Sequence, residues 1–419
     1  MNPSEPLFRR NVKYNMPSNP TPILASFPLR ARLLARRAVS RVPALLLCGW
    51  VVMSSMLSPV AGAPGAGRAA PSEPIHTDVF RAGEDGYHTY RIPSVVVTQK
   101  GTLVAFAEGR KESPRDQGPT DMVLKRSVDG GQTWLPMQVV VQAVPHAAMD
   151  PCPVVDHTGV IWLVYDRWPQ GFRGKVTPGL GPDAVSRWVT SSVDDGVTWA
   201  PPVNITASTK KPHWTGMAHG PGVGIRTRTN RLVIPTNQHA EGFTCTILYS
   251  DDHGSTWQLG GAAGPAVGES QVVELADGSY MLNMRSYRGQ RRRAIATSVD
   301  GGMTWSRVRD HPELIEPVCQ ASFLRYTLAT EHGKNRLLFS NPASEKGRVN
   351  GTVRLSYDEG QTWPVARTIV PGSFAYSCLA VLPDMTIGCL YETDTYKRIR
   401  FARFTLDWLT DGKDHVERK

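Results

Sequence analysis

Three arginines lie within or directly beside strand-like stretches of the sequence, where a charged side chain needs a partner. Arg91 begins the run Arg-Ile-Pro-Ser-Val-Val-Val, Arg285 ends Met-Leu-Asn-Met-Arg, and Arg348 comes just before another apolar run. Each arginine alone is typical of a surface residue or a structural ion pair. If the three strand ends converge, however, the guanidiniums together would bind an anion, and a carboxylate matches their planar, paired N–H donors.

A short repeated pattern indicates how distant strand ends could be brought together. The pattern Ser-x-Asp-x-Gly-x-Thr-Trp, which we call the Asp-box, occurs five times, beginning at Ser127, Ser192, Ser250, Ser298 and Ser356. Each copy lies between two strand-like runs, so we interpret it as a hairpin turn. In such a turn the Asp accepts backbone N–H groups, the Gly adopts a positive φ and the Trp packs between sheets. Calcium binding is the alternative, but the pattern lacks the several oxygen ligands that calcium takes.

The copies start 48–65 residues apart, which leaves room for several strands in each repeat. Repeats of this length predict the blades of a β-propeller. Strand-like segments between about residues 78 and 409 fit six four-stranded blades, five with an Asp-box and one without. We therefore predict an all-β, six-bladed β-propeller with Asp-box turns. We also predict a monomer, because closure of the ring hides the sheet edges.

With the repeat and the arginines in view, the chain resembles the bacterial and animal sialidase family. The shared features are the Tyr-Arg-Ile-Pro motif around Arg91, the Asp-boxes and the arginine cluster, and the likeness covers roughly residues 76–410. It implies an exo-α-sialidase that removes terminal sialic acid from glycoproteins, glycolipids and oligosaccharides, with no metal or organic cofactor. Arg91, Arg285 and Arg348 would then clamp the carboxylate of the sugar.

The same resemblance assigns the groups that would break the glycosidic bond. Asp116, in a Pro- and Gly-rich loop, would be the general acid and base. Glu112 is a weaker rival, and Asp121 is expected to cap a strand. Tyr376 would be the nucleophile, and Glu269 would take its proton.

Three more residues resemble family positions close to the sugar. Arg110 and Asp150 would contact its hydroxyl side, although a turn-forming role of the pair Asp150-Pro151 stays open. Glu392 would orient Arg91 through an ion pair. The N-acyl group of sialic acid needs an apolar pocket, and three aromatic residues are open candidates for its wall: Trp168, Trp214 and Phe172.

A tyrosine nucleophile suits this substrate for an electrostatic reason. Sialic acid carries a carboxylate on its anomeric carbon, and an attacking carboxylate would be repelled by it. A phenol, with a pKa of about 10, is neutral until it attacks. The resemblance therefore implies hydrolysis with retention through a tyrosyl-glycosyl intermediate. Two alternatives stay open: an inactive propeller that binds sialylated glycans, and a trans-sialidase. No additional lectin-like domain is visible, which favours hydrolysis over transfer.

The formal net charge is +10, but most of it lies at the start of the chain. Residues 1–63 contain eight basic residues and one acidic residue, which leaves about +3 for the rest. This mildly basic remainder does not predict nucleic-acid binding. Within residues 1–63, basic residues are followed by an apolar stretch and then by the small-residue sequence Ala-Gly-Ala at 61–63. This order predicts a secretory signal. We therefore expect export, with the product secreted, periplasmic or lysosomal.

These observations divide the chain into four segments: a signal segment (1–63), a linker (64–75), the propeller (76–410) and a polar tail (411–419). After removal of the signal we expect no membrane span. Cys48 leaves with the signal, and five cysteines remain. Because their number is odd and their spacing wide, we predict buried thiols and not a disulfide framework.

Overall fold

The computed structural model describes residues 72–116, 118–169 and 176–416. The predicted signal segment and most of the linker lie outside the described residues. The strands form six sheets arranged as the blades of a propeller, which confirms the predicted fold class. Within the described ranges, every helix is too short to cross a membrane.

The blades follow one another along the chain, and each adds its strands from the inside outwards. Blade 1 contains β2 (Thr89–Val97), β3 (Leu103–Arg110), β4 (Thr120–Ser127) and β5 (Gln138–Val141). Blade 2 contains β6 (His146–Val155), β7 (Ile161–Pro169), β8 (Ser186–Ser192) and β9 (Val203–Asn204). Blade 3 contains β10 (Met217–His219), β11 (Ile225–Arg226), β12 (Leu232–Gln238), β13 (Thr244–Ser250) and β14 (Gln258–Leu259).

The other three blades repeat this order. Blade 4 contains β15 (Val267–Glu274), β16 (Tyr280–Ser286), β17 (Arg292–Ser298) and β18 (Arg309–Ile315). Blade 5 contains β19 (Ser322–Thr327), β20 (Arg336–Pro342), β21 (Val349–Ser356) and β22 (Val365–Ser373). Blade 6 contains β23 (Ser377–Val381), β24 (Ile387–Thr393), β25 (Arg398–Phe404) and β1 (Ile75–Arg81). The described helices are α1 (Thr206–Thr209), α2 (Ala329–His332), α3 (Leu406–Leu409) and a 3-10 turn (Asp394–Tyr396).

Blade 6 closes the ring with strands from both ends of the propeller. Its outer strand β1 pairs antiparallel with β25, in a register that joins Ile75 to Arg403 and Arg81 to Arg398. Asp78 in β1 forms an ion pair with Arg400 in β25, with Asp78 Oδ1 2.7 Å from Arg400 Nε. This closure explains why one blade has no Asp-box. The third and fourth strands of blade 6 are not consecutive in sequence, so no hairpin joins them.

Each Asp-box joins the last two strands of its blade and is held by its own side chains. In the first copy, Ser127 Oγ donates to Asp129 Oδ1 at 2.7 Å, and Gly131 N–H donates to Ser127 Oγ at 2.8 Å. Thr133 donates its backbone N–H to Asp129 Oδ1 at 3.0 Å and its hydroxyl to Oδ2. The same four bonds recur in the other copies. The turn thus uses both carboxylate oxygens to hold its own backbone and side chains, as expected for a structural turn.

The tryptophans of the first two Asp-boxes pack between adjacent blades, as predicted. Trp134 of blade 1 meets Phe401 of blade 6 edge to face, with ring centroids 5.7 Å apart. Trp199 of blade 2 meets Phe106 of blade 1 at 5.6 Å. Both tryptophans are partly buried and pack against the apolar core of blade 1 and its neighbours.

Part of the predicted polar tail belongs to the folded body. Asp414 is buried and accepts from Arg336 Nε at 2.7 Å and from the hydroxyl of Tyr357 at 2.9 Å. The segment up to Val416 therefore packs against blade 5. All five described cysteines are buried and unpaired, which confirms the prediction of buried thiols.

The Asp-box glycine offers a test of how tightly the blades pack. Gly131 has a φ of +88°, and a Cβ there would lie 2.4 Å from Phe401, which is fully buried. Gly131→Ala should therefore add a steric cost of about 1–3 kcal/mol to the cost of the positive φ. Gly86→Ala is the matched control, since Gly86 has a φ of +84° with nothing within 4 Å of the added Cβ. Thermal unfolding should show the larger loss for Gly131→Ala, and equal losses would contradict this account of the packing.

Candidate active site

One cavity of about 780 Å³ is lined by residues from all six blades and therefore lies on the axis of the ring. Its size is typical of a pocket for a small molecule. Of the nine predicted site residues, only Glu392 does not line the cavity. It pairs with Arg91, with its Oε1 2.6 Å from Arg91 Nε. The other eight all line the cavity: Arg91, Arg110, Asp116, Asp150, Glu269, Arg285, Arg348 and Tyr376.

The three arginines converge on the side chain of Tyr376. The guanidinium carbons of Arg91 and Arg348 lie 5.5 Å and 5.3 Å from the centre of its ring. Arg285 Nη1 donates to the Tyr376 hydroxyl at 3.1 Å. The three residues come from blades 1, 4 and 5, so the ring of blades produces the convergence that the sequence only suggested.

The charges of the arginine cluster are not fully balanced by neighbouring carboxylates. Arg91 is paired with Glu392 at 2.6 Å and Arg285 with Glu269 at 2.9 Å. Arg348 makes no ion pair with a carboxylate among the described residues, and its Nη1 donates to the hydroxyl of Tyr396 at 3.0 Å. The cluster thus presents one excess positive charge to the cavity, where an anion would be stabilised.

Glu392 holds the backbone of the site as well as Arg91. Its side chain is fully buried and accepts the Ile92 N–H at 2.9 Å and the Tyr376 N–H at 3.2 Å. Ile92 has a φ of +58° at a bulge in β2, a conformation that a β-branched residue rarely adopts. The bulge turns Arg91 towards the cavity, and the hydrogen bond to Glu392 stabilises the strained residue beside it.

Glu269 lies where it can take the proton of Tyr376. The tyrosine hydroxyl donates to Glu269 Oε1, and Arg285 Nη1 holds the second oxygen of the same carboxylate. Burial raises the pKa of Tyr376 well above its usual value, and the charge of Glu269 raises it further, while Arg285 opposes this. The side chain is therefore a neutral phenol at neutral pH, and it needs Glu269 as a base to become a nucleophile.

A second buried carboxylate, Glu108, organises the opposite side of the cavity. It binds Arg110 through Nη2 at 2.6 Å and Nε at 3.0 Å, and its other oxygen accepts the Asp150 N–H at 2.9 Å. Asp150 has a φ of +56° at a bulge in β6, so it forms part of the cavity wall and not an ordinary turn. Burial raises the pKa of Asp150 well above its usual value, and the nearby Glu108 adds to the shift.

Asp116 is the exposed carboxylate at the rim of the cavity. Its side chain is 66% exposed, and its Oδ1 lies 2.8 Å from Arg110 Nη1. Glu112, the weaker rival, is exposed and does not line the cavity. Asp121 is buried, where it accepts the Tyr87 hydroxyl at 2.6 Å, so its role is structural, as expected. Arg110 is buried between Glu108 and Asp116, and it connects the rim carboxylate to the interior.

The structure separates the open aromatic candidates for the cavity wall. Trp168 lines the cavity, whereas Trp214 is fully buried and belongs to the interior. Trp214 follows α1 and fills the interior, where the ring removes a large apolar area from water. Phe172 lies outside the described residues. The wall continues from Trp168 through three rings with centroids 4.9–6.3 Å apart: His239, Phe243 and Tyr287.

Two residues that the sequence analysis missed are central to this geometry. Glu108 could have been found, because it is a charged residue within the apolar strand β3, the same feature that singled out the arginines. Tyr396, which contacts Arg91 and Arg348, lies in an exposed, polar stretch with no local feature that marks it. His239 and Phe243 likewise belong to a hairpin whose sequence gives no hint of a pocket.

Comparison with known proteins adds independent information. A family model described as a BNR repeat-like domain matches residues 101–389. A sialidase of Micromonospora viridifaciens is 38% identical over 403 residues, which cover 91% of this chain and 61% of the relative, so this chain spans about three fifths of that protein. An exo-alpha-sialidase of Aspergillus fumigatus is 30% identical over 79% of this chain and 87% of its own length. The solved structure of Hadza microbial sialidase Hz136 superposes with a TM-score of 0.75 at 35% identity, covering 80% of this chain and 69% of that chain.

The buried pair of Arg91 and Glu392 predicts a large effect on stability. Glu392→Gln leaves a guanidinium that is nearly buried without its counter-charge, which should lower the free energy of unfolding by about 3 kcal/mol. Asp251→Asn removes the partner of Arg231 in an exposed pair and should cost less than about 1 kcal/mol. Denaturant unfolding of both variants measures the difference. Equal, small losses would show that Glu392 contributes little to the fold.

Proposed function

Because the chain belongs to the sialidase family with BNR repeats, we propose that it hydrolyses terminal sialic acid from glycoproteins, glycolipids and oligosaccharides. The reaction retains configuration and passes through a glycosyl intermediate on Tyr376. The single observation that carries the proposal is a neutral, buried phenol surrounded by three arginines, with a carboxylate at its hydroxyl.

The electrostatics of the cavity fit a substrate with a carboxylate at the reacting carbon. The excess charge of the arginine cluster would bind the carboxylate of sialic acid, with Arg348 as the arginine that has no carboxylate partner among the described residues. A carboxylate nucleophile in the place of Tyr376 would repel that substrate, whereas a phenol does not. The arginines and the tyrosine therefore serve one purpose: they let a nucleophile approach an anionic sugar.

In the first step, Tyr376 Oη attacks the anomeric carbon while its proton moves to Glu269 Oε1. Asp116 donates a proton to the glycosidic oxygen, the bond from the anomeric carbon to that oxygen breaks, and the glycan leaves. In the second step, Asp116 takes a proton from water, which attacks the same carbon. The bond to Tyr376 breaks, and Glu269 returns the proton to the phenolate. Two inversions at one carbon give net retention.

The position of Asp116 suits its part in both steps. The residue lies at the rim, where a leaving glycan would extend into solvent, and its exposure lets water reach it once the glycan has departed. Arg110 holds the carboxylate over the cavity before the substrate binds. A cavity with the acid at its rim favours removal of a terminal sugar.

Export and the monomeric state belong to the same proposal. The pattern of basic, apolar and small residues in 1–63 supports a secretory signal. Pairing of β1 with β25 closes the ring, which leaves the outermost strands as the remaining sheet edges and supports a monomer.

The nucleophile pair gives the central test. Hydrolysis of sialyllactose should fall about 100-fold or more in Tyr376→Phe and in Glu269→Gln, because the nucleophile or its base is lost. Tyr249→Phe, which removes a hydroxyl bonded to Gln258 on the outer part of blade 3, is the control and should keep full activity. Proton NMR of the released sugar should show the α-anomer first.

Other outcomes of the same assay separate the alternatives. Binding of sialyllactose without any hydrolysis by the unmutated protein would favour an inactive lectin. Transfer of sialic acid to isotopically labelled lactose, added in excess, in place of release of free sialic acid would favour a trans-sialidase. Initial release of the β-anomer would exclude the retaining mechanism.

The role of Asp116 predicts a dependence on the leaving group. Asp116→Ala should lower the rate on sialyllactose by about 100-fold or more, because a sugar alkoxide needs a proton to leave. The loss should be much smaller for an aryl sialoside whose phenol is acidic. Glu112→Ala, in the same loop, is the matched control and should behave as the unmutated enzyme. An equal loss on both substrates would remove Asp116 from the role of acid.

A further inference from the structure

Tyr396 lies at the end of a backbone segment that adopts an unusual conformation. The 3-10 turn between β24 and β25 contains three consecutive non-glycine residues with positive φ: +50° at Asp394, +55° at Thr395 and +67° at Tyr396. Such residues rarely occur in succession, and they persist only where the surrounding structure determines them. Conformations of this kind cluster at functional sites, which directs attention to the side chain that the turn presents.

Neighbouring strands hold the turn in place. Thr395 donates its backbone N–H to Ser373 Oγ at 3.0 Å, and the hydroxyl of Thr393 donates to the Ser373 carbonyl at 2.7 Å. On the other side, Ala82 N–H donates to the carbonyl of Lys397 at 2.9 Å. The turn is thus attached to blade 5 through Ser373 and to the end of β1, and Tyr396 at its end contacts Arg91 and Arg348.

Tyr396 contacts two of the three clustered arginines by different means. Its ring covers the guanidinium of Arg91, with the guanidinium carbon 4.1 Å from the ring centre, while Glu392 binds the Nε edge of the same group. Its hydroxyl accepts from Arg348 Nη1 at 3.0 Å. One side chain therefore sets the distance and orientation between Arg91 and Arg348.

Because the side chain of Tyr396 is neutral, it contacts Arg348 without cancelling the positive charge of the guanidinium. A carboxylate could hold Arg348 equally well, but it would cancel the positive charge that the substrate must meet. A phenol orients the guanidinium and leaves its charge available. The tyrosine face also stabilises Arg91 as a cation through its ring quadrupole, again without neutralising it.

We propose that Tyr396 is a positioning residue that aligns Arg91 and Arg348 for the carboxylate of the substrate. The inference rests on the proposed function, because it names the residue that prepares the anion site of that reaction. It predicts that Tyr396 governs how strongly the cavity prefers a carboxylate, and that it contributes nothing to the proton transfers at Tyr376 and Asp116.

The variants Tyr396→Phe and Tyr396→Leu separate the two contacts. Loss of the hydroxyl in Tyr396→Phe should raise KM for sialyllactose about 10-fold with kcat nearly unchanged, because the arginines bind substrate and transition state alike. Tyr396→Leu, which also removes the ring from Arg91, should raise KM further. Tyr326→Phe, which deletes a tyrosine hydroxyl bonded to the Met385 carbonyl, is the control and should leave both constants unchanged.

Direct binding distinguishes a positioning role from a general structural one. Free N-acetylneuraminic acid and its methyl ester differ only at the carboxyl group, where the ester lacks the negative charge and carries a methyl group, and the unmutated protein should bind the acid more tightly. Tyr396→Phe should reduce this preference about 10-fold by weakening binding of the acid alone. A preference within twofold of the unmutated value, or equal weakening of acid and ester, overturns the inference.

The binding measurement also keeps the two proposals apart. If the unmutated protein binds the acid in preference to the ester but hydrolyses nothing, the proposed function fails and the role of Tyr396 is still tested. If it hydrolyses sialyllactose and Tyr396→Phe has the same KM and the same preference, only the inference about Tyr396 fails. Should Tyr396→Leu not fold, the conservative Tyr396→Phe alone decides the result.

Discussion

A single buried carboxylate, Glu392, joins the parts of this molecule on which the site depends. It binds the guanidinium of Arg91, the backbone N–H of the strained Ile92 and the backbone N–H of Tyr376. These three groups belong to blades 1 and 6, which meet where the ring closes through the pairing of β1 with β25. A buried charge of this kind is stable only when all its partners are present. The positions of Tyr376 and Arg91 and the junction of blades 1 and 6 are therefore coupled through one side chain.

The same arrangement, in which a buried carboxylate binds both an arginine and a strained backbone N–H, occurs again on the opposite side of the cavity. Glu108, on the second strand of blade 1, binds Arg110 and the N–H of Asp150 on the inner strand of blade 2. Glu392, on the second strand of blade 6, has the same relation to Ile92 on the inner strand of blade 1. In both cases the residue with positive φ precedes a proline, and its N–H bonds to a carboxylate that also holds an arginine. Two residues beside the cavity thus adopt strained backbone conformations, and each is stabilised by a charge-assisted hydrogen bond from its N–H.

The distribution of charge around Tyr376 explains why neutral and charged partners alternate there. Glu392 and Glu269 each balance one arginine, and the phenols of Tyr376 and Tyr396 contact arginines without adding charge. The site keeps its excess positive charge for an anion while every guanidinium in it has at least one fixed neighbour. Burial of the Tyr376 hydroxyl raises its pKa, so this side chain is a neutral phenol whose hydroxyl donates to Glu269.

The parts of this protein that the sequence determined by itself are those held by contacts between near neighbours. In the Asp-box the bonded residues are two to four positions apart, so the motif carries its own turn, and its repetition predicts six blades. The family likeness then placed Arg91, Glu269 and Tyr376 in one site. Only the tertiary structure decided the rest. Arg91 and Glu392 are 301 residues apart, and the roles of Glu108 and Tyr396 and the burial of Trp214 depend on which blades meet. Long-range contacts of this kind leave no periodic trace in the chain, because each partner is selected by the closed ring and not by its sequence neighbours.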